Sequence, residues 1–246
     1  SAEELDRMAA EAKPDGVTGR VNRVWDAAAG RAVAGRLGYK ANMANLRQQI
    51  AGAMLGDLGI TSPLFGEQNC SPVQAECRQA PDGGHPELTA EQLDDLEFYL
   101  AHLAVPQRRN ADDPQVGQGE RLFAASGCTA CHRPLVVTGE HPKYPRLAQR
   151  AIAPYSDLLV HDLGEGLADH RPDFLANGRE WRTAPLWGIG LAGLIGERVG
   201  YLHDGRARNL LEAVLWHGGE AAPAQARFTA LTPAERAAVL AFLGSL

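Results

Sequence analysis

The chain has 246 residues, enough to bury a substantial core in one or two domains. Its formal net charge of −6, with both signs interspersed, argues against general nucleic-acid binding and describes an ordinary solvated surface. No apolar run approaches the ~20 residues of a membrane-spanning helix.

Residues 1–8 read as a charged helix with no signal-peptide pattern, so a targeting segment is expected to have been cleaved or to lie upstream. Residues 14–40, rich in Gly, Arg and Asn, are expected to be irregular. Residues 42–58 read as a helix, because Leu46, Ile50, Ala53 and Met54 recur at helical spacing. Residues 59–87 form a long Pro- and Gly-rich connection that holds Cys70 and Cys77. A helix is predicted over 88–105: Thr89 and Gln92 make a capping box, Leu93, Leu96, Phe98, Leu100 and Leu103 follow, and Pro106 ends it. The polar run at 108–113 marks a boundary between a helical and loop segment (1–110) and a second domain (111–246). Asp113 and Pro114 cap and start a short helix carrying Val116, Leu122 and Phe123. Residues 133–200 are punctuated by Pro and Gly, a pattern of loops that wrap a cofactor. Residues 209–217 read as a short helix ended by Gly218-Gly219, and a final helix is capped by Thr232, Pro233 and Glu235.

The short helix after Asp113 leads into Gly127-Cys128-Thr129-Ala130-Cys131-His132. Two thiols three positions apart followed by an imidazole is the arrangement that attaches haem c: the cysteines form thioethers and the histidine binds iron from one face. A zinc site would need a second ligand pair, and the spacing of Cys70 and Cys77 is unusual for one. A thioredoxin-like dithiol would need a strand–helix unit around it. The motif predicts one covalently bound haem c in a cytochrome c-like haem domain, and the scarcity of strand signals predicts an all-α fold with long loops, in which that domain follows an additional helical segment. Haem c is attached outside the bacterial cytoplasm, so a periplasmic or otherwise exported protein is expected. Cys70 and Cys77, an even pair in such a compartment, are expected to form a disulfide. Gly188-Ile189-Gly190-Leu191-Ala192-Gly193 fits a nucleotide-binding pattern, but no strand precedes it. Close approach of the backbone to another segment or to a porphyrin is the plainer account.

The residue opposite His132 decides whether a haem only transfers electrons or also binds a substrate. The candidates are Met8, Met43, Met54 and seven further histidines. Met43 and Met54 sit at or beside a predicted helix, where Met is more often core filler. His85 is in a polar turn, His102 is on a helix already supplied with Leu, and His141 and His170 are in charged loops. His161, in Leu-Leu-Val-His-Asp, is a real contender.

Tyr201-Leu202-His203-Asp204-Gly205, followed by the segment from Arg206 to His217, resembles the C-terminal haem domain of the bacterial di-haem cytochrome c peroxidase and methylamine-utilisation superfamily. That family carries a Tyr-x-His-Asp-Gly turn with a distal ligand, usually Met or Tyr, fourteen residues after the turn histidine. Fourteen residues after His203 stands His217, a departure in residue type at the matching position. More closely, the chain resembles the di-haem oxidoreductases also called thiol oxidoreductases. The resemblance lies in the blocks around Asn45-Leu46-Arg47-Gln48-Gln49, Gly56-Asp57-Leu58-Gly59-Ile60, Pro154-Tyr155-Ser156-Asp157, Trp181-Arg182-Thr183-Ala184-Pro185 and His203-Asp204-Gly205-Arg206. Family members are about twice this length and carry another Cys-x-x-Cys-His upstream. The resemblance therefore implies a C-terminal half whose partners are an upstream second haem domain and a redox partner protein.

From these motif positions, His132 and His217 are expected to ligate the iron as a bis-histidine pair, giving an electron-transfer haem. The alternative is a peroxidase whose iron site opens to hydrogen peroxide. His203 is expected to hold its turn or a propionate-side network, with Asp204 orienting it. Arg182 and Arg206, with Arg208, are candidate partners for haem propionates, since a guanidinium fork matches a carboxylate. Trp181, Trp187 and Trp216 are expected to pack on the porphyrin. No catalytic residue is assigned.

Overall fold

The computed structural model describes residues 1–196 and 199–246. Among them the helices are α1 (Ala2–Ala10), α2 (Leu46–Leu58), α3 (Ala75–Gln79), α4 (Ala90–Ala101), α5 (Pro114–Ala125), α6 (Leu210–Leu215), α7 (Ala222–Ala230) and α8 (Pro233–Ser245). Three antiparallel two-stranded ribbons accompany them: β1 (Arg23–Asp26) with β2 (Arg31–Ala34), β3 (Val136–Val137) with β4 (Ala151–Ile152), and β5 (Val160–Asp162) with β6 (Glu180–Arg182). The protein is mostly helical, but not purely so. The ribbons correct the all-α expectation, and the strands of two to four residues are too short for an alternating pattern to show. Among the described residues no helix is long and apolar enough to cross a membrane.

The chain divides into two compact units, and the division is not linear. One unit comprises Ser1–Asn22, Tyr39–Ala41 and Val105–Leu246; the other comprises Arg23–Gly38 and Asn42–Ala104. The linear division at residue 110 differs from this, because residues 1–22 bond to the later segment: Arg20 pairs backbone to backbone with Val160, and Asp15 forms an ion pair with Arg227.

In the smaller unit, α2 and α4 pack through Ile50, Ala51 and Leu93, with Leu46, Met54, Leu64, Phe65 and Leu96 around them. Met54 is core filler, as its helical position suggests. Asn45 caps α2, and the Thr89–Gln92 capping box on α4 is complete. Helix α4 ends at Ala101, short of the expected Val105, because His102 caps it: its backbone N–H reaches Phe98 and Tyr99, and its Nδ1 lies 2.8 Å from the Phe98 carbonyl. The 14–40 region, expected to be irregular, contains the β1–β2 hairpin. An alanine-rich turn hides it from sequence, since Asp26 Oδ1 accepts from the Ala28 and Ala29 amides in place of an Asn-Gly signal. A disulfide joins Cys70, in the connection after α2, to Cys77 on the short helix α3.

In the larger unit, α5 and α8 cross and enclose the core. Phe123, Phe228, Val239, Phe242 and Leu243 are buried there with Val116, Tyr155 and Leu186. Phe123, Tyr155 and Phe242 form an aromatic triangle with centroid distances of 5.3–6.3 Å and tilted or edge-on geometry, which favours the ring quadrupoles. The crossing is close enough that only glycine fits at position 119: a Cβ there would lie 1.9 Å from the Ala238 carbonyl oxygen. Gly190 lies against the Gly244 carbonyl in the same way. Of the Gly-x-Gly-x-x-Gly stretch, Gly190 thus serves close packing against the end of α8. Helix α7 carries no start signal that sequence reading recognises; it begins without a side-chain cap and has Pro223 in its first turn.

Candidate functional site

A largely apolar cavity of about 260 Å³ lies within the larger unit. Its lining includes Phe123, Cys128, Cys131, His132, Leu167, Trp181, Arg182, Leu186, His203, Leu210, Val214 and His217. Both cysteines are free thiols in the structure, and burial pushes the Cys128 thiol up to about 11. Gly127 adopts a left-handed φ of 86° and turns the chain from α5 into the 3-10 turn that presents them.

Tyr155 fixes His132. The imidazole Nδ1 is 2.9 Å from the Tyr155 carbonyl, which assigns the proton to Nδ1 and leaves Nε2 with its lone pair. Burial, reinforced by the neighbouring His217, lowers the ring to about 4 and keeps it neutral. Backbone bonds clamp the motif from the same side: the Ser156 amide donates to the Arg133 carbonyl and the Asp157 amide to the Cys131 carbonyl, each at 3.0 Å.

His217 repeats this arrangement at the end of α6. Its Nδ1 lies 2.7 Å from the Ala213 carbonyl, one helical turn back, so Nε2 is again the free nitrogen. Burial holds this imidazole below its usual range as well. The two rings have centroids 6.4 Å apart and planes 50° apart. An imidazole nitrogen sits about 2.0–2.1 Å from a bound first-row metal, so rings facing one metal from opposite sides have centres roughly 6 Å apart once the ring radius is added. Neutral imidazoles with occupied Nδ1 atoms, two thiols at the cavity wall and an apolar lining all fit a haem.

The other candidate residues have different surroundings. His161, a contender from sequence, is spent on carboxylates: Nε2 is 3.0 Å from Asp157 Oδ2, and Nδ1 is 2.9 Å from Glu220 Oε2. Burial would lower this ring, but bonds to Asp157, Cys131 and Glu220 outweigh it and raise it to about 11, so it is an imidazolium. Burial likewise favours neutral Glu220, yet His161 and the Thr18 amide hold its carboxyl down at about 2. Among the described residues, no methionine lines the cavity.

His203 lines the cavity wall and stacks on Trp181, with centroids 3.4 Å apart and planes 12° apart. Its Nε2 is 3.8 Å from Asp204 Oδ2. The buried Lys40 ammonium lies 4.1 Å from the Trp181 ring centre and is held by Asp169 and the Asn177 carbonyl, both at 2.9 Å. Arg182 lines the cavity, with its amide bonded to the Tyr39 carbonyl. Arg206 does not line it: the guanidinium is bonded to Asp204 at 2.6 Å and sits 5.0 Å from the Trp216 ring centre. Arg208 is paired with Glu212 on the surface. Sequence reasoning missed the network formed by Asp157, His161 and Glu220: Asp157 and His161 are four residues apart, but Glu220 stands 59 residues beyond His161, and no motif joins it to them.

A mostly helical domain with small ribbons and long loops around a Cys-x-x-Cys-His cavity is consistent with a cytochrome-like class. Residues 5–246 match the family described as "Di-haem oxidoreductase, putative peroxidase", and the chain belongs to that family. Among curated proteins none matches. Among solved structures, a chain of hydrazine synthase from Kuenenia stuttgartiensis is 19% identical; the match covers 84% of this chain and 64% of that one, with a TM-score of 0.47.

Proposed function

We propose that this protein carries one c-type haem, attached through Cys128 and Cys131 and ligated by His132 and His217, and that it passes electrons. The observation that carries the reading is the paired geometry of the two histidines: each Nδ1 is bonded to a backbone carbonyl, and the ring centres are 6.4 Å apart across the cavity. The bound haem would supply one-electron exchange between ferric and ferrous iron.

The residues of the chain do the rest. The Tyr155 and Ala213 carbonyls hold each imidazole in one tautomer and aim it. Phe123, Leu167, Leu186, Leu210 and Val214 keep water from the cavity. Arg182 and His203, which line the cavity, would receive haem propionates, and Trp181 packs as the ring that His203 stacks on. Arg206 acts indirectly by bracing Asp204 beside His203. Two histidine ligands and no thioether sulfur favour a lower potential than a His/Met pair would give.

The match spans less than two thirds of the hydrazine synthase chain, so activity at the level of a whole enzyme is part of this proposal. Family membership supports a second haem domain and a redox partner protein as partners. The disulfide and a c-type attachment together support an exported, periplasmic location. A pyridine-haemochrome assay with a ferric optical spectrum tests the reading. A covalently bound haem, low-spin and unresponsive to cyanide or peroxide, is expected. A high-spin fraction that reacts with peroxide would favour the peroxidase reading instead.

A further inference from the structure

The two faces of the cavity are joined by a line of hydrogen-bonded polar groups, of which His161 and Glu220 themselves line the cavity. On one face, Asp157 stands two residues after Tyr155, whose carbonyl aims His132, and its amide bonds Cys131. On the other, Glu220 stands three residues after His217. His161, on β5, lies between them, 3.0 Å from Asp157 and 2.9 Å from Glu220.

Glu220 is the more heavily used end. Besides His161 it accepts from the Thr18 amide at 2.9 Å, the Gly19 amide at 3.2 Å, the Thr18 hydroxyl at 3.1 Å and the Asp162 amide at 3.3 Å. The turn between His217 and Glu220 is pressed onto the same strand: a Cβ on Gly219 would lie 2.2 Å from the Asp162 carbonyl oxygen. Helix α6 itself has only six residues, and Leu211, Leu215 and Trp216 on it or beside it are exposed. A helix so short is not stable by itself, so the placement of His217 depends on what holds the turn after it.

We propose that Glu220 is a positioning residue for His217: its carboxylate, gripped by His161, ties the His217 turn to the Asp157–Cys131 side and keeps that histidine in the site. This rests on the bis-histidine reading. The hydrogen bonds to Glu220 are charge-assisted and partly buried, the kind whose loss is most strongly felt. Release of the tether would let His217 swing out and expose one face of the iron.

The test compares holoprotein carrying Glu220→Gln and Glu220→Ala with wild type and with Glu212→Gln, a surface change on α6. The readouts are the ferric spin state, cyanide binding, and deuterium uptake of residues 216–221. Wild type and Glu212→Gln are expected to stay low-spin and silent to cyanide. The Glu220 variants are expected to show a high-spin fraction, cyanide binding increased roughly tenfold or more, and faster uptake over 216–221. Should the alanine variant not fold, the glutamine variant carries the test. Glu220 variants that remain low-spin and silent overturn the proposal, whether or not their melting temperature falls. His217→Ala separates the two readings: an unchanged low-spin spectrum in that variant sinks the bis-histidine assignment itself, and a wild type that is already high-spin overturns both.

Discussion

His132 donates its Nδ1 proton to the carbonyl of Tyr155 at 2.9 Å, and Tyr155 holds a left-handed φ of 51° to offer it. A tyrosine there is conformationally costly, so the surroundings must enforce it. Its hydroxyl donates to Glu120 at 2.7 Å, and its ring packs against Phe123 and Phe242. Tyr155→Phe keeps the carbonyl and the ring but removes the hydroxyl. The expected outcome is a loss of about 0.5–1.5 kcal/mol in denaturant unfolding, with an unchanged haem spectrum.

His217→Met replaces an imidazole by a thioether at the end of α6. The haem reduction potential is expected to rise, as it does generally when a thioether replaces an imidazole ligand. Spectroelectrochemical titration checks this, and an unmoved potential would place His217 off the iron.

Cys131→Ala would remove one of the two proposed thioether partners while His132 stays held by Tyr155. Haem is expected to remain attached through Cys128 alone, with a shifted pyridine-haemochrome band. Replacing both cysteines is expected to leave haem extractable by acid–acetone.

The carboxylate–imidazolium network gives a pH dependence whose sign is set by its two shifts. Glu220 lies near 2 in the fold against an ordinary 4.5, so its contribution is full above 4.5 and is lost as pH falls toward 2. His161 lies near 11 against an ordinary 6.5, so its contribution is full below 6.5 and is lost as pH rises toward 11. Both contribute fully between 4.5 and 6.5. Melting temperature is expected to fall on both sides of that window. Glu220→Gln should flatten the acid side and cost roughly 1.5–3 kcal/mol within the window.

Gly119→Ala tests the helix crossing that shapes the cavity. The added methyl would meet the Ala238 carbonyl at 1.9 Å and Phe242 Cβ at 2.8 Å, and neither can move without shifting α8. Overpacking of this kind costs typically 1–3 kcal/mol, and chemical denaturation would measure it.

Much of the larger unit is legible in the sequence because its signals are local. Capping by Asp113 and Thr232, the spacing of Cys128, Cys131 and His132, and apolar residues at helical intervals act within a few residues of themselves. The hairpin at Arg23–Ala34 and helix α7 are not legible: the first has an alanine-rich turn, and the second has no side-chain cap.

Sequence alone determined the haem-attachment motif and the short list of histidines, since covalent spacing along a chain needs no fold to be read. The motif positions favoured His217 over the contender His161 as the second expected ligand. Only the tertiary structure decided which ring nitrogens are left over, because hydrogen-bond partners come from packing. Packing put Asp157 and Glu220 on both nitrogens of His161, and put on His217 a single backbone carbonyl with the cavity in front of it.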